Sequence, residues 1–375
     1  MVVLKSCLPN KQLLRSLPNP VVLDPEHSTT KPSRHSDFDG LTSNPPTTAE
    51  ALGQFLLDLY DAAVRLEIGA FEQDYLCRLT TLVPFDSAWT GTAVLVADGP
   101  VTHSSFLYRQ PLSFFTGWKE VRHCDPLGVP ALHGSGSVAT ISALDPRLDP
   151  VFRDWAVQHG CTYLTCIAVP DRQFGLSTFL SIYRHGPGNP FLPQELRQIE
   201  LVAPHLASAL RLNRASHFGR AAQSESGIVA RAICDDYGFL HGEDRNFRAL
   251  VAGEWGGWND NTLPAPVVGH LRSCSPLPCL GKTVRISRTR VSGLHIIEVR
   301  PRSLFDELSP REFAVIRHYG EGRSHKEVAR SLGLSPATVR HYLREAYRKL
   351  GICDKGQLAT ALKGLDVKEA ATSIH

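Results

Sequence analysis

The side chains best suited to chemistry are cationic and lie near the end of the sequence. Between residues 308 and 365 there are eleven lysines and arginines and five acidic residues, a net charge of +6, whereas all 375 residues together carry +3. A local excess of this kind indicates a polyanionic partner, because lysine and arginine neutralise phosphates. Charge alone leaves a second interpretation open, in which the same side chains form a solvated surface.

The segment 335–350 separates its apolar and basic residues when it is placed on a helix of about 100° per residue. The apolar side carries Val339, Leu343, Ala346, Tyr347 and Leu350. The opposite side carries Arg340, His341, Arg344 and Arg348. A helix of this kind fits the major groove of DNA, where arginine reaches guanine edges and phosphates. The alternative is a small helical bundle with a hydrated basic face.

Start and stop signals around this segment predict four short helices. Two capping boxes, Ser309-Pro310-Arg311-Glu312 and Ser324-His325-Lys326-Glu327, open the first and second helices. Ser335-Pro336 opens the third helix, and Asp354 can cap a fourth. The first three helices are predicted to end at Gly322, Gly333 and Gly351, because the left-handed backbone conformation that closes a helix favours glycine. The short turn at Gly333-Leu334 gives the second and third helices helix-turn-helix geometry.

Residues 308–362 closely resemble the LuxR-type helix-turn-helix along its full length. The shared features are the opening Leu-Ser-Pro-Arg-Glu, the Glu-Gly before the second helix, Lys-Glu-Val-Ala, Leu-Gly-Leu-Ser, Thr-Val-Arg and Arg-Lys-Leu-Gly. The resemblance implies that the third helix enters the major groove and that its base-facing residues are Arg340, His341 and Arg344. It also implies a set of residues that contact the DNA backbone or support the recognition helix, namely Lys326, Thr338 and Lys349. Arg348 lies on the same basic face as the base-facing residues. His325 and Tyr342 depart from the common family residues, so the target sequence does not transfer.

The front of the chain has the composition of a leader followed by two α+β modules. Residues 1–45 are rich in proline and predict a flexible leader. Thr47 to Glu50 form a capping box before an apolar helix, and the hairpin-like segments 93–108 and 162–183 precede a long helix from Pro193. Residues 46–215 resemble a GAF-like sensor region through Pro84-Phe85-Asp86-Ser87, the stretch 122–126 and Pro204-His205-Leu206. Residues 216–305 predict a small α/β module that resembles a PAS-like unit, with a hairpin formed by 283–288 and 295–299.

A sensor of this kind needs an apolar pocket with a few polar anchors. The candidate ligand-binding residues are Trp89, Tyr108, Trp118 and Asp125. For each aromatic residue the alternative is ordinary core packing, and for Asp125-Pro126 it is a turn or a helix start. A tryptophan followed by Asp-Pro is similar to autoinducer-binding domains, but its spacing is too short for their pattern. An acyl-homoserine lactone is therefore not expected.

Several function classes lack their signatures. The sequence contains no GxSxG, HExxH, GxxxxGK or GxGxxG motif, so we expect no catalytic residues and no enzyme. The nine cysteines form no zinc-ligand pattern, so we expect no metal site and no cofactor. No apolar run reaches the roughly 18 residues of a membrane span, and no signal peptide is evident, so we expect a cytoplasmic protein.

The sequence thus predicts an α+β protein, with GAF/PAS-like sensory modules before an all-α four-helix helix-turn-helix domain at 306–365 and a tail at 366–375. The predicted function is sequence-specific transcription regulation controlled by the sensory region. The rival interpretation is a protein-interaction adaptor that has lost operator binding. Expected partners are double-stranded DNA, a small-molecule effector, RNA polymerase and a second copy of the chain. The resemblance implies that the fourth helix supplies the copy-to-copy contact through Gln357, Leu358 and Ala361, and the alternative for Leu358 is burial within its own domain.

Overall fold

The computed structural model describes residues 21–22, 48–134, 136–221, 229–273 and 278–362. Two mainly antiparallel sheets are followed by a cluster of helices, which confirms the predicted α+β class. Most of the predicted leader, Thr47 of the first capping box and the tail lie outside the described residues. Within the described ranges, no helix is long and apolar enough to span a bilayer.

The first domain comprises residues 21–22 and 48–221 and is built on a six-stranded sheet of order β1-β3-β2-β6-β5-β4 with helices on both faces. One face packs against α1, α2 and α6 in a core that includes Phe71 and Ile182. The other packs against α3, α4 and α5 in a core that includes Trp89 and Phe152. The elements are β1 (Val21–Val22), α1 (Thr48–Arg65), α2 (Ile68–Leu82), β2 (Ser87–Val96), β3 (Gly99–Tyr108), α3 (Leu112–Val121), α4 (Gly128–His133), β4 (Ala139–Ser142), α5 (Pro150–Gln158), β5 (Cys161–Pro170), β6 (Ser177–His185) and α6 (Pro193–Ala221).

Side chains alternate between the two cores along each strand of this sheet, as the pleat requires. On β3, Phe106 and Tyr108 enter the core under α1, α2 and α6, whereas Leu107 enters the opposite core. On β2, Ala88 and Trp89 divide in the same way. A residue's position in this alternation therefore decides which core it can reach.

The second module, residues 229–301, has five strands of order β8-β7-β11-β10-β9. Its core joins the sheet to two short helices and includes Phe247, Val267 and Ile297. The predicted hairpin is confirmed, with Ser292 and Gly293 at positive φ in its turn. When the strands are numbered within each unit and β1 is left out, both sheets have the same order, 2-1-5-4-3. The elements are β7 (Ala230–Cys234), β8 (Leu240–Glu243), α7 (Phe247–Glu254), α8 (Ala265–Arg272), β9 (Cys279–Leu280), β10 (Val284–Val291) and β11 (Leu294–Pro301).

The helical cluster follows β11 almost directly, through a 3-10 helix at Leu304–Glu307. Both predicted capping boxes are present, at Ser309 and at Ser324. Gly333 and Gly351 end their helices with φ of 63° and 65°, in the left-handed region that favours glycine. The helices are α9 (Pro310–Gly320), α10 (His325–Leu332), α11 (Pro336–Leu350) and a fourth that covers residues 355–362.

The boundary between the two front units differs from the position that the sequence indicated. Helix α6 continues from Pro193 to Ala221, across the predicted division between residues 215 and 216. The second sheet begins only at Ala230. No stop signal marks residue 215, because neither glycine nor proline occurs between Pro204 and Gly219.

Candidate DNA-binding surface and sensor cavity

Helix α11 is fixed by one apolar face. Val339, Leu343, Ala346 and Leu350 are buried against α9 and α10, at the spacing of successive helical turns. Ser335 caps the start of the helix, where its side chain accepts from the backbone N–H of Thr338. The core and the cap together set which side chains point outward.

The opposite face of α11 presents the basic residues. Arg340, His341 and Arg344 are all exposed. In the described part of the chain, no acidic side chain forms an ion pair with Arg340 or Arg344. Arg348, one turn further on, pairs with Glu345 at 2.9 Å, but its side chain is 69% exposed. These side chains have the geometry expected of groups that bind an external polyanion.

Lys349 has an intramolecular partner. Its Nζ lies 2.9 Å and 2.7 Å from the two carboxylate oxygens of Glu312, which is buried at the start of α9. Burial opposes ionisation of Glu312, but hydrogen bonds from Lys349 and Ser309 outweigh it and hold the pKa of this carboxyl below its ordinary value. The resemblance implies that Lys349 either contacts the DNA backbone or supports the fold of the domain. Its ion pair with Glu312 is consistent with the supporting role.

The other two predicted contact residues lie at helix starts. Lys326 is exposed in the first turn of α10. The Thr338 hydroxyl lies 2.8 Å from the Ser335 hydroxyl in the first turn of α11. Thr338 thus takes part in the N-terminal cap of α11, and the contact of Lys326 and Thr338 with DNA stays a prediction.

A partly open cavity lies between the first sheet and helices α3, α4 and α5, and its space of about 490 Å³ includes solvent at its mouth. Only a small part of this space is wide enough for a water molecule in the present packing. Three of the predicted ligand-binding residues, Trp89, Trp118 and Asp125, line it. Tyr108 is not brought to the cavity, because the strand alternation turns it into the opposite core, where its ring packs on Phe85.

Asp125 is half-buried at the side of the cavity and already accepts three hydrogen bonds. The Trp118 indole donates to Oδ2 at 2.9 Å, and the backbone N–H groups of Leu127 and Gly128 donate to Oδ1. Burial is the largest influence on this carboxyl and raises its pKa, although all three hydrogen bonds act in the other direction. Two of these donors belong to the turn into α4, so the predicted alternative of a helix start is also realised.

Several cavity residues were missed by the sequence interpretation. Thr102 is 2% exposed, and its hydroxyl has no hydrogen-bond partner. Trp155 and Tyr183 also line the cavity. Uniform alternation along β3 would turn Thr102 away from the face of Leu107, and Thr102 reaches that face only because the register between β2 and β3 shifts between Thr92 and Ala93.

Comparison with known proteins decides the nature of the C-terminal helices. Residues 306–362 match the family described as bacterial regulatory proteins of the luxR family (GerE). These residues form a LuxR-family helix-turn-helix domain. The matched range contains α9, α10, α11 and the fourth helix. It confirms the resemblance carried by the sequence motifs.

Regulators with related sequences match a limited part of this chain. A protein of Mycobacterium bovis, described as an HTH-type transcriptional regulator, is 41% identical over 59 residues, which cover 16% of this chain and 7% of that protein. GfsR of Streptomyces halstedii, described in the same terms, is 32% identical over 99 residues, which cover 26% of this chain and 41% of that protein. The chain thus spans less than half the length of these relatives.

Solved structures show weaker likenesses. The N-acylhomoserine-lactone-dependent LuxR-family factor CepR2 of Burkholderia cenocepacia is 18% identical, over 46% of this chain and 99% of that chain, with a TM-score of 0.34. Escherichia coli SdiA is 14% identical, over 84% of this chain and 98% of that chain, with a TM-score of 0.34. A phycoerythrobilin-bound GAF domain from a cyanobacterial phytochrome is 12% identical, over 46% of this chain and 100% of that chain, with a TM-score of 0.32. Likenesses at this level support no conclusion about the ligand.

The fourth helix of the LuxR-family domain differs from its predicted use in one respect. Leu358 is fully buried in the core of its own domain, so it cannot contribute to a surface between two copies. Gln357 is exposed, although its side-chain oxygen accepts from the backbone N–H of Cys353 at 2.8 Å. Leu358 packs in the core of its own domain, beside α9.

Proposed function

We propose that the protein is a sequence-specific DNA-binding transcriptional regulator whose activity is set by a ligand in the first domain. The observation that carries the DNA-binding part is the division of α11 into a buried apolar face and an exposed basic face. Arg340, His341 and Arg344 lie on the exposed face, inside the matched LuxR-family domain. Contact with RNA polymerase and a cytoplasmic location belong to the same proposal, as consequences of acting at promoters.

Recognition would combine two kinds of contact. Arginine can bind the O6 and N7 atoms of guanine with two parallel hydrogen bonds, and Arg340 and Arg344 are free of intramolecular ion pairs in the described residues. Lys326 and Arg348, at the borders of this face, suit contacts to phosphates, which position the helix without reading sequence. This division makes Arg340 and Arg344 the residues that determine the operator.

Selection of genomic fragments by the purified full-length protein tests the DNA-binding proposal. We expect enrichment of a discrete motif, followed by a footprint at that motif on the isolated fragment. Recovery of fragments without any common motif would contradict the proposal and favour the adaptor alternative, in which the fold persists without operator binding.

The cavity supports a GAF-like sensing role and limits the chemistry of its ligand. Its lining is mostly aromatic and aliphatic, and none of the lining residues is a lysine, arginine or histidine. Asp125 supplies a carboxylate and Thr102 an unpartnered hydroxyl. An anion would be buried without a counter-charge, which is costly. The ligand is therefore a largely apolar molecule without negative charge, and it offers a polar group to Thr102 or Asp125.

Two matched probes test this ligand class. Three tryptophans line the cavity, so intrinsic fluorescence reports on its occupancy. We expect 1-octanol to shift the emission with saturation, and octanoate, of equal chain length, to bind at least about tenfold more weakly, a difference of about 1.4 kcal/mol. Equal binding of the two probes would contradict the assigned class.

A further inference from the structure

The two front units meet through a buried polar contact. The His103 ring, on β3 of the first domain, places Nδ1 2.6 Å from Oδ2 of Asp235, which follows β7 of the second module. The Asp235 side chain is completely buried, and that of His103 is 12% exposed. A carboxylate of one unit therefore finds its partner in the other.

Asp235 also shapes the turn in which it lies. Its Oδ1 accepts from the backbone N–H groups of Tyr237 and Phe239 at 2.9 Å and 2.8 Å. Burial opposes ionisation, but interactions with His103 and His241 outweigh it and hold the pKa of Asp235 well below its ordinary value. The conformation of the β7–β8 turn is thus tied to a charged group that the first domain stabilises.

A second set of groups surrounds this contact. His241, on β8, is completely buried, and burial lowers its pKa to about 4, so it is neutral near pH 7. Its Nδ1 lies 3.3 Å from a guanidinium nitrogen of Arg214 on α6 and 3.4 Å from the hydroxyl of Thr92 on β2. The junction therefore joins β2, β3 and α6 of the first domain to both strands that flank the turn.

The strands at this junction are also the wall of the cavity. On β3, Thr102 lines the cavity and the next residue, His103, contacts Asp235. On β2, Ala93 lines the cavity and the preceding residue, Thr92, contacts His241. A change in the cavity that moves either strand must move the junction, because packed elements transmit displacement.

We propose that the His103–Asp235 contact is the joint through which the state of the cavity reaches the second module. This inference rests on the proposed sensing function of the first domain. The remaining step toward DNA is short, because Asp306, at the start of the DNA-binding domain, pairs with Arg285 and Arg300 of the second module.

Amide hydrogen exchange in the full-length protein tests the joint without requiring DNA or the natural ligand. Ala93→Leu fills part of the cavity, and Thr102→Val provides a second perturbation of the same wall. Each is measured in the parent protein and together with His103→Gln, with exchange followed at residues 230–243. His123→Gln, an exposed histidine of the same domain, is the matched control.

We expect at least one cavity substitution to change exchange at 230–243 by about fivefold or more in the parent protein, and by less than about twofold when His103→Gln is present. The change should persist with His123→Gln. An unchanged 230–243 segment in the parent, or an equal change with His103→Gln, would overturn the proposal. Asp235→Asn repeats the test from the other side of the contact if His103→Gln does not fold. Operator binding is measured separately, so loss of the regulatory function is distinguishable from loss of the joint.

Discussion

Arg344 illustrates how one side chain can be assigned to recognition rather than to stability. It lies one helical turn from Arg340 and faces away from the buried Val339 and Leu343. Lys349, five residues later, faces the domain interior and pairs with Glu312. Two basic residues of the same helix therefore carry different predictions.

We expect Arg344→Ala to leave the domain folded and to weaken operator binding by about 1–3 kcal/mol, since it removes a direct base contact. Binding to non-specific DNA should change much less. Arg317→Ala, an exposed arginine on α9, is the control and should change operator affinity by less than about 0.5 kcal/mol. Equal operator protection by Arg344→Ala and the parent at matched salt would remove Arg344 from the recognition set.

Lys349→Met should lower the free energy of unfolding of the DNA-binding domain by about 1–3 kcal/mol at pH 7, because it leaves the buried carboxylate of Glu312 without its cation. The pKa of Glu312 is lowered in the fold, so its contribution is present above its ordinary pKa and is lost as the pH falls through the lowered value. Urea unfolding should therefore show a smaller effect at pH 3 than at pH 7. The control is Lys326→Met, and an effect that does not depend on pH would contradict this account.

At the scale of elements, local chemistry determined what the sequence could predict. The capping boxes at Ser309 and Ser324 and the left-handed glycines at 333 and 351 were predictable, because each depends on a few neighbouring residues. The cavity was only partly predictable, since strand alternation relative to an unknown sheet decided that Trp89 enters it and Tyr108 does not. The His103–Asp235 contact joins residues 132 positions apart and has no local signal.

The pairing of β2 with β3 depends on a glycine. A Cβ at Gly91 would lie 1.9 Å from the backbone carbonyl oxygen of Ser104, which cannot move without disturbing the sheet. We expect Gly91→Ala to destabilise the first domain by about 1–3 kcal/mol or more in thermal or urea unfolding. Gly53→Ala on α1 meets nothing within 4 Å and should instead stabilise by up to about 1 kcal/mol. Equal effects of the two substitutions would argue against this strand pairing.

The helical cluster should fold without the rest of the chain. A fragment of residues 303–375 keeps its core, which includes Ile316, Val328 and Leu343. It loses the ion pairs that Asp306 makes with the second module and the pair between Glu307 and Arg302. We expect a helical circular dichroism spectrum and a cooperative thermal transition. A random-coil spectrum would show that the second module is required for folding.

At the scale of the whole molecule, the units form a connected series from cavity to DNA-binding surface. The first domain contacts the second module through His103 and Asp235, and the second module holds Asp306 at the start of the DNA-binding domain. Each contact joins a charged or polar group of one unit to a partner in the next. This arrangement suits a regulator whose DNA-binding domain responds to the state of its first domain.

We expect two copies of the chain to bind one operator as a symmetric pair. One recognition helix reads only a few base pairs, which gives too little discrimination against non-specific sites in a genome. Two copies related by a two-fold axis would require two half-sites with matching symmetry. The mass of the complex on a footprinted operator measures the number of copies. One copy at saturation, with no symmetric repeat in the protected sequence, would contradict this prediction.

The salt dependence of operator binding tests the central claim most directly. A protein that neutralises phosphates with its exposed basic side chains releases counterions, so the logarithm of its affinity must fall linearly with the logarithm of salt concentration. For the full-length protein on its footprinted operator we predict a loss of about a thousandfold between 50 and 200 mM salt. An affinity that changes by less than about threefold over this range, or that is equal for a scrambled duplex, would contradict sequence-specific binding to DNA by α11.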